Sequence, residues 1–234
     1  MAIDETNEWI CSTVDVEGGI RPGLKIKQVM RGMAAKDLRW DKGKTLKICF
    51  LNGDENQQKT FMDIANLWIV DGVSLKLETT NEKRESHIRV YIGGDKNLSL
   101  VGTQSLSPTV SGQPTLWVST VTDGIVLHEF GHALGLVHEH FHSDLPFTWN
   151  KEAVYKDLGE SPNKWKPDYI DRHVFKIDPE KKLPLDEEVT EEFDPLSVMM
   201  YTVKASWTME KKSFMPGKKL SNLDIETILT LYRA

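Results

Sequence analysis

The chain has 234 residues, 39% of them hydrophobic, and a formal net charge of −6. This composition is that of an ordinary globular protein, long enough to bury a core as one domain or as two small lobes around a shared cleft. The negative charge and the lack of a basic run argue against nucleic-acid binding. A membrane span needs about 18 consecutive apolar residues, and no such run predicts one here.

The N-terminal region, residues 1–43, is punctuated by glycine and proline and is predicted to be an irregular arm. Residues 1–10 are polar and acidic, without the basic start and apolar stretch of a signal peptide, so none is expected in this chain. Cys11 and Cys49 either pair or remain free thiols, and the sequence leaves both open. A Cys11 thiolate is a suitable zinc ligand, but an inert thiol or a disulfide partner is the commoner case.

Residues 44–138 alternate between strand and helix patterns. Four strands are predicted, at residues 44–51, 73–78, 87–92 and 95–103. A helix is predicted at 57–70, where apolar residues recur at the spacing of one helical face. A second helix, 124–134, follows a candidate cap at Thr122 and Asp123. It is nearly apolar apart from its histidines and glutamate, so we expect it to be buried.

Residues 139–220 hold many proline, lysine, aspartate and tryptophan residues with little periodicity, and are predicted to be loop-rich. Within this stretch only residues 150–158 show a helical pattern. A last helix is predicted from a cap at Ser221 to the end of the chain, because an apolar stripe follows that cap.

The residues with the clearest chemistry lie in and after the second predicted helix. His128 and His132 are four residues apart, so both imidazoles lie on one helical face and can share a metal ion. Gly135 can adopt the left-handed conformation that ends a helix, which allows His138 to return as a third ligand. Three protein ligands leave one position for water, which is the arrangement of catalytic zinc.

Glu129 follows the first histidine and is expected to be the general base. Zinc lowers the pKa of a bound water from about 15.7 to about 7, and Glu129 would take its proton and deliver it to the leaving amine. The simpler alternative is a pair of histidines with ordinary roles, which Gly135 and His138 at fixed offsets disfavour. His140 and His142, just beyond this motif, are interpreted as solvated loop residues.

The string HEFGHALGLVH, residues 128–138, matches the metzincin signature H-E-x-x-H-x-x-G-x-x-H, and with Glu139 after it the chain resembles the astacin family. The string SVMMY, residues 197–201, resembles the Met-turn of that family, and Met199 follows His138 by 61 residues. The resemblance covers the organisation of residues 44–233. With two cysteines and a long leading arm, the chain more closely resembles an atypical, microbial-type branch.

The resemblance implies an α+β metzincin fold with a zinc cleft between two lobes. The catalytic domain would span 44–234, after an arm at 1–43. Its upper lobe, about 44–138, would hold a twisted mixed sheet and two long helices, and its lower lobe, about 139–234, would be loop-rich and end in a helix. The predicted strand at 87–92 would be an edge strand that pairs with extended substrate.

The resemblance also implies roles for single residues. Met199 would form the floor below the zinc histidines, and Tyr201 would ligate zinc at rest and then stabilise the oxyanion. Glu139 would reach toward a buried N-terminus. A core methionine and a structural tyrosine are the plain alternatives for Met199 and Tyr201.

The sequence therefore predicts a zinc-dependent endopeptidase that hydrolyses internal peptide bonds of proteins through a zinc-bound water activated by Glu129. Alternatives are another metzincin branch, a catalytically silent binding or toxin-component protein, and a structural zinc site. Tyr201 and the residue after His138 disfavour the first, Glu129 the second, and the lack of a fourth cysteine or histidine at a fitting offset the third. A monomer is expected, and the activity class favours a secreted or extracellular location.

Overall fold

The computed structural model describes residues 38–161, 163–175 and 192–234, and Cys11 with most of the predicted arm lies outside them. The described strands are β1 Thr45–Phe50, β2 Lys76–Thr79, β3 Ile88–Ile92, β4 Leu98–Ser99 and β5 Leu116–Val118. The described α-helices are α1 Glu55–Ala65, α2 Asp123–Ala133, α3 Lys151–Gly159, α4 Pro167–His173 and α5 Asn222–Tyr232. None of these helices combines the length and the apolar character needed to cross a membrane.

The strands form one mixed sheet in the order β2-β1-β3-β5-β4. The pairs among β2, β1, β3 and β5 are parallel, and β4 pairs with β5 in the antiparallel direction. Helices α1 and α2 contact each other, and α2 also contacts β5 and β4. The predicted α+β class with a mixed sheet is confirmed.

The apolar residues between sheet and helices make the main core, and a second core lies among α3, α4 and the chain after residue 192. Trp40 is 4% exposed and belongs to the main core, although it precedes the boundary predicted at residue 43. That boundary stays a prediction.

Most predicted elements are found with small shifts, including the short helix predicted at 150–158, which is α3. Helix α1 ends at Ala65, and a 3-10 turn, Asn66–Trp68, replaces its predicted last turns. The strand predicted at 95–103 shrinks to β4, while β5 and α4 had no recognisable pattern. Buried Arg89 of β3 is part of the reason. Its guanidinium donates to the carbonyl oxygens of Gln113 (2.6 Å) and Ser105 (2.7 Å), so the loop between β4 and β5 is shaped by a residue outside it.

The interpretation of residues 87–92 as an edge strand is wrong. Strand β3 pairs with β1 on one side and with β5 on the other, so its backbone groups are used inside the sheet. Its burial fits that position, because four of its five residues are buried. The edge strand next to β5 is instead the short antiparallel strand β4. A strand whose residues are buried on both faces is typical of the interior of a sheet, so the edge position implied by the family resemblance does not hold for β3.

The C-terminal end of α2 is held by side chains from both ends of the described chain. The indole Nε1 of Trp40 donates to Ala133 O (2.8 Å), and the Tyr232 hydroxyl donates to Leu134 O (2.6 Å). The same hydroxyl accepts from Trp40 N (3.3 Å). Because the last carbonyls of a helix have no partner within it, these contacts satisfy groups that burial would otherwise leave unpaired.

Replacing Tyr232 by phenylalanine should therefore lower the free energy of unfolding by about 1–3 kcal/mol, since buried Leu134 O and Trp40 N lose a partner while the ring remains. Urea denaturation followed by tryptophan fluorescence measures this change. The matched control is Tyr91→Phe on half-exposed Tyr91, which should stay close to wild type. Equal stability of the two variants would count against this capping role.

Candidate metal centre

The turn after α2 brings the third histidine of the motif back toward the first two. Gly135 has a φ of +97°, in the left-handed region where glycine carries no steric penalty. Gly135 N donates to His132 O (2.8 Å), and Leu136 N donates to Gly131 O (3.0 Å). These two bonds form the paired closure typical of a helix that ends at a glycine. The chain then reverses, so His138 faces the helix.

Three imidazoles meet at this turn. One ligand atom from each of His128, His132 and His138 lies within 4.8 Å of the others, and this is the group among the described residues that could hold a metal ion. His128 Nε2 and His138 Nε2 are 3.2 Å apart. Zn–N bonds of 2.0–2.1 Å at tetrahedral angles put two nitrogen ligands about 3.3 Å apart, so the observed spacing suits one shared zinc ion.

Backbone carbonyls set the orientation of the two helical imidazoles. His128 Nδ1 donates to Val198 O (2.6 Å), and His132 Nδ1 donates to Leu136 O (2.9 Å). A carbonyl oxygen only accepts, so each Nδ1 carries the hydrogen and each Nε2 presents a lone pair. His138 differs, because its Nδ1 has no hydrogen-bond partner among the described residues. Its ring is held by packing, with the Tyr201 ring centroid 5.1 Å away.

Burial keeps the three imidazoles neutral. Removal from water lowers the pKa of His132 to about 4, and it lowers the pKa of His128 and of His138 well below the ordinary value. The neighbouring imidazoles lower the pKa of His128 and His138 further. Because only the neutral imidazole binds a metal ion, the site is prepared to accept zinc without first losing protons.

The SVMMY segment, residues 197–201, lies directly against helix α2. A Cβ on Gly131 would overlap the Met199 sulfur, so the missing side chain at Gly131 is what lets Met199 approach α2 closely at this position. Glu139 N donates to Met199 O (2.9 Å), which ties this segment to the residue after the third histidine. The sequence did not predict a role for Gly131, and the one indication of it was its position as a glycine inside a predicted helix.

The two carboxylates of the motif are both buried. Glu129 is fully buried in α2, three residues before His132 and so on a neighbouring part of the helix surface. Glu139 is 7% exposed, and its Oε1 accepts from Asp194 N (2.8 Å). Burial raises the pKa of Glu139 to about 8. Glu139 also lines a small cavity together with Asp224.

His140, His142 and Cys49 were the subject of further expectations from the sequence. His140 and His142 are 1% and 3% exposed, so they are buried and not solvated loop residues. The His140 ring lies 4.7 Å from the Tyr201 ring and 5.2 Å from the His138 ring, as part of the packing around the third imidazole. Cys49 is a buried free thiol, and Cys11 lies outside the described residues.

Comparison with known families gives one clear match. The family profile named Astacin, which describes a family of peptidases, matches residues 32–155. The match covers more than half of the chain and includes all three histidines. A search of curated protein sequences found no match.

Solved structures show the same fold. A structure of myroilysin has a TM-score of 0.73 at 24% identity, over 86% of this chain and 98% of that chain. A crystal structure of myroilysin has a TM-score of 0.64 at 23% identity, over 97% and 92% of the two chains. High choriolytic enzyme 1, a hatching enzyme zinc-protease from Oryzias latipes, has a TM-score of 0.57 at 17% identity, over 85% and 96%.

Proposed function

The chain belongs to the astacin family of peptidases and is therefore a zinc-dependent metalloendopeptidase, and on that premise we propose that His128, His132 and His138 bind the zinc while Glu129 is the general base. The observation that carries this proposal is the convergence of three buried, neutral imidazoles at one point. Protein substrates follow from the peptidase activity. The bonds cleaved are internal peptide bonds, with water as the nucleophile.

The residues of the site divide the chemical work. When bound, zinc acidifies a water ligand and polarises the scissile carbonyl. Glu129 accepts a proton from the attacking water and returns it to the leaving amine. Its complete burial in α2 keeps bulk water from competing for that proton. The carbonyl groups of Val198 and Leu136 hold two of the imidazoles in the tautomer that binds metal.

Tyr201 is the proposed donor to the oxyanion. A phenol hydroxyl is a hydrogen-bond donor without charge, so it can stabilise negative charge that develops on the carbonyl oxygen. Its ring packs on His138, which keeps the residue beside the metal ligands. Met199 is the proposed floor below the zinc histidines, and its close approach to Gly131 of α2 supports this role. The predicted contact of Glu139 with a chain N-terminus concerns residues outside the described part of the chain.

Zinc removal is the direct test of the function. Purified protein should hydrolyse casein, and prior treatment with 1,10-phenanthroline should reduce the rate at least about 100-fold, because both the water activation and the carbonyl polarisation are lost. Adding zinc after removal of the chelator should restore the rate. The matched control is a non-chelating phenanthroline isomer, which should leave the rate unchanged. Hydrolysis that persists in zinc-free protein would contradict the assignment.

The finer predictions concern the whole chain. We propose a monomeric, secreted enzyme whose catalytic domain spans residues 44–234. Light scattering coupled to size-exclusion chromatography would test the monomer, because a dimer would double the measured mass. Cell fractionation would test the location. Limited proteolysis would test the boundary: a stable product that begins at residue 44 would support it, whereas one that begins before Trp40, which packs in the main core, would move the boundary earlier.

A further inference from the structure

We propose that Asp224, in the last helix α5, strengthens the zinc ligand His128 through a relay of hydrogen bonds that runs across Ser197 and the peptide group between Val198 and Met199. Asp224 is a positioning residue in this relay and does not touch the metal. The inference rests on the proposed function only in taking His128 as a zinc ligand.

The first link joins the imidazole to the backbone. His128 Nδ1 donates to Val198 O at 2.6 Å, which is short for such a bond. Val198 C=O and Met199 N–H belong to one planar peptide group, so polarising the N–H increases the negative charge on the carbonyl oxygen. Anything that binds Met199 N therefore acts on His128.

The second link joins that peptide group to a carboxylate. Met199 N donates to Ser197 Oγ (2.9 Å), and Ser197 Oγ donates to Asp224 Oδ1 (2.6 Å). In each bond of the series the hydrogen points along the path toward Asp224, so the bonds polarise one another in the same direction. Asp224 Oδ2 accepts from Val198 N (3.0 Å) and Ser221 N (2.9 Å). Three donors facing the carboxyl group are the pattern of an ionised aspartate.

Burial makes the relay effective. His128 and Val198 are fully buried, and Ser197 and Asp224 are 2% and 5% exposed. In such an interior, water does not screen the carboxylate charge, and hydrogen bonds are electrostatically stronger than in water. Many zinc histidines donate directly to a carboxylate, which orients the ring and increases its basicity. Here a hydroxyl and a peptide group carry the same influence over a longer path.

Asp224 has a second, purely structural role that the test must separate. With Ser221 it forms a capping box for α5, in which Ser221 N donates to Asp224 Oδ2 and Asp224 N donates to Ser221 Oγ (2.9 Å). The cap uses Oδ2, whereas the relay uses Oδ1. Two serines thus contact the same aspartate for different purposes, which makes Ser197→Ala and Ser221→Ala a matched pair.

The experiment compares these variants in the full-length protein. Zinc affinity is measured by competition with a chromogenic chelator, and the ligand field by the absorption spectrum of the cobalt-substituted protein. Ser197→Ala should weaken zinc binding about 10–100-fold and shift the cobalt bands, because loss of an outer partner has effects of this size. Ser221→Ala should lower the stability of the fold through loss of the cap but leave zinc affinity and cobalt bands at wild-type values.

Asp224→Asn provides a second variant, with Asp194→Asn as its control. Asp194 is equally buried, and its carboxylate accepts from Leu196 N (2.9 Å) and from Ser221 Oγ but makes no bond to the groups of the relay. Asp224→Asn should weaken zinc binding as Ser197→Ala does, and the double variant should be no weaker, since both changes cut one path. Asp194→Asn should keep wild-type zinc affinity.

Two results would overturn the relay: wild-type zinc affinity in Ser197→Ala and Asp224→Asn, or an equal loss in both members of either matched pair. The variant His128→Ala separates this failure from failure of the proposed function. If His128→Ala retains wild-type zinc affinity, the ligand assignment itself is wrong. If it loses zinc while Ser197→Ala does not, only the relay is wrong.

Discussion

Replacing Glu129 by glutamine should lower kcat/KM on a fluorogenic peptide by at least about 100-fold, and up to about 10⁴-fold, the range that general acid–base catalysis contributes. Glutamine has the size of glutamate and can stay in the same buried position of α2. Its amide cannot take a proton from water, so the attack and the protonation of the leaving amine both slow. Zinc content per chain, measured by atomic absorption, should stay at the wild-type value because Glu129 is not a proposed ligand.

The control for this variant is Glu226→Gln on the exposed side of α5, which should retain wild-type kcat/KM. Circular dichroism and urea denaturation should show that both variants are folded. A folded, zinc-loaded Glu129→Gln protein with wild-type activity would rule out Glu129 as the base. Loss of zinc together with activity would instead indicate that Glu129 helps to hold the metal.

Replacing Tyr201 by phenylalanine should lower kcat about 100–1000-fold, as expected for removal of one donor to a developing oxyanion. KM should change much less, because the hydroxyl acts mainly in the transition state. The ring that packs on His138 and the three histidine ligands are retained, so the protein should still bind zinc, with at most the loss of one resting ligand. Steady-state kinetics on a fluorogenic peptide, combined with zinc titration, measures all three quantities.

The matched control is Tyr155→Phe. The Tyr155 hydroxyl donates to Asp171 Oδ1 at the contact of α3 with α4, so this variant also loses a tyrosine hydrogen bond, but away from the histidines. It should keep wild-type kcat. If Tyr201 is only structural, Tyr201→Phe should lose stability with little change in kcat, as Tyr155→Phe is expected to do.

The metal centre could be predicted from the sequence because its three histidines lie close together along the chain. His128 and His132 are fixed relative to each other by helical spacing, and the turn at Gly135 depends on a conformation that glycine reaches without strain. Short-range rules of this kind do not depend on what packs around the helix. The resemblance carried by that motif also implied the family and a mixed sheet with two helices, and both are confirmed.

Other features depended on residues far apart in the chain. Gly131 matters because Met199 approaches it, and no local pattern announces a contact between residues 68 positions apart. His140 and His142 look like solvated loop residues, yet packing around Tyr201 and Phe193 buries them. The strand order could not be predicted from the sequence either, because an apolar strand can have the same residue pattern at an edge as in the middle of a sheet.

By itself, the sequence determined the local part of the centre: two imidazoles on one helical face and the turn that returns the third, because helical periodicity and glycine conformation are local properties. Only the tertiary structure decided what supports that centre. The carbonyl that orients His128, the aspartate of α5 behind it and the tyrosine that closes the end of α2 come from distant segments. Hydrogen bonds between such segments depend on how the chain packs, and packing is not written in any single stretch of residues.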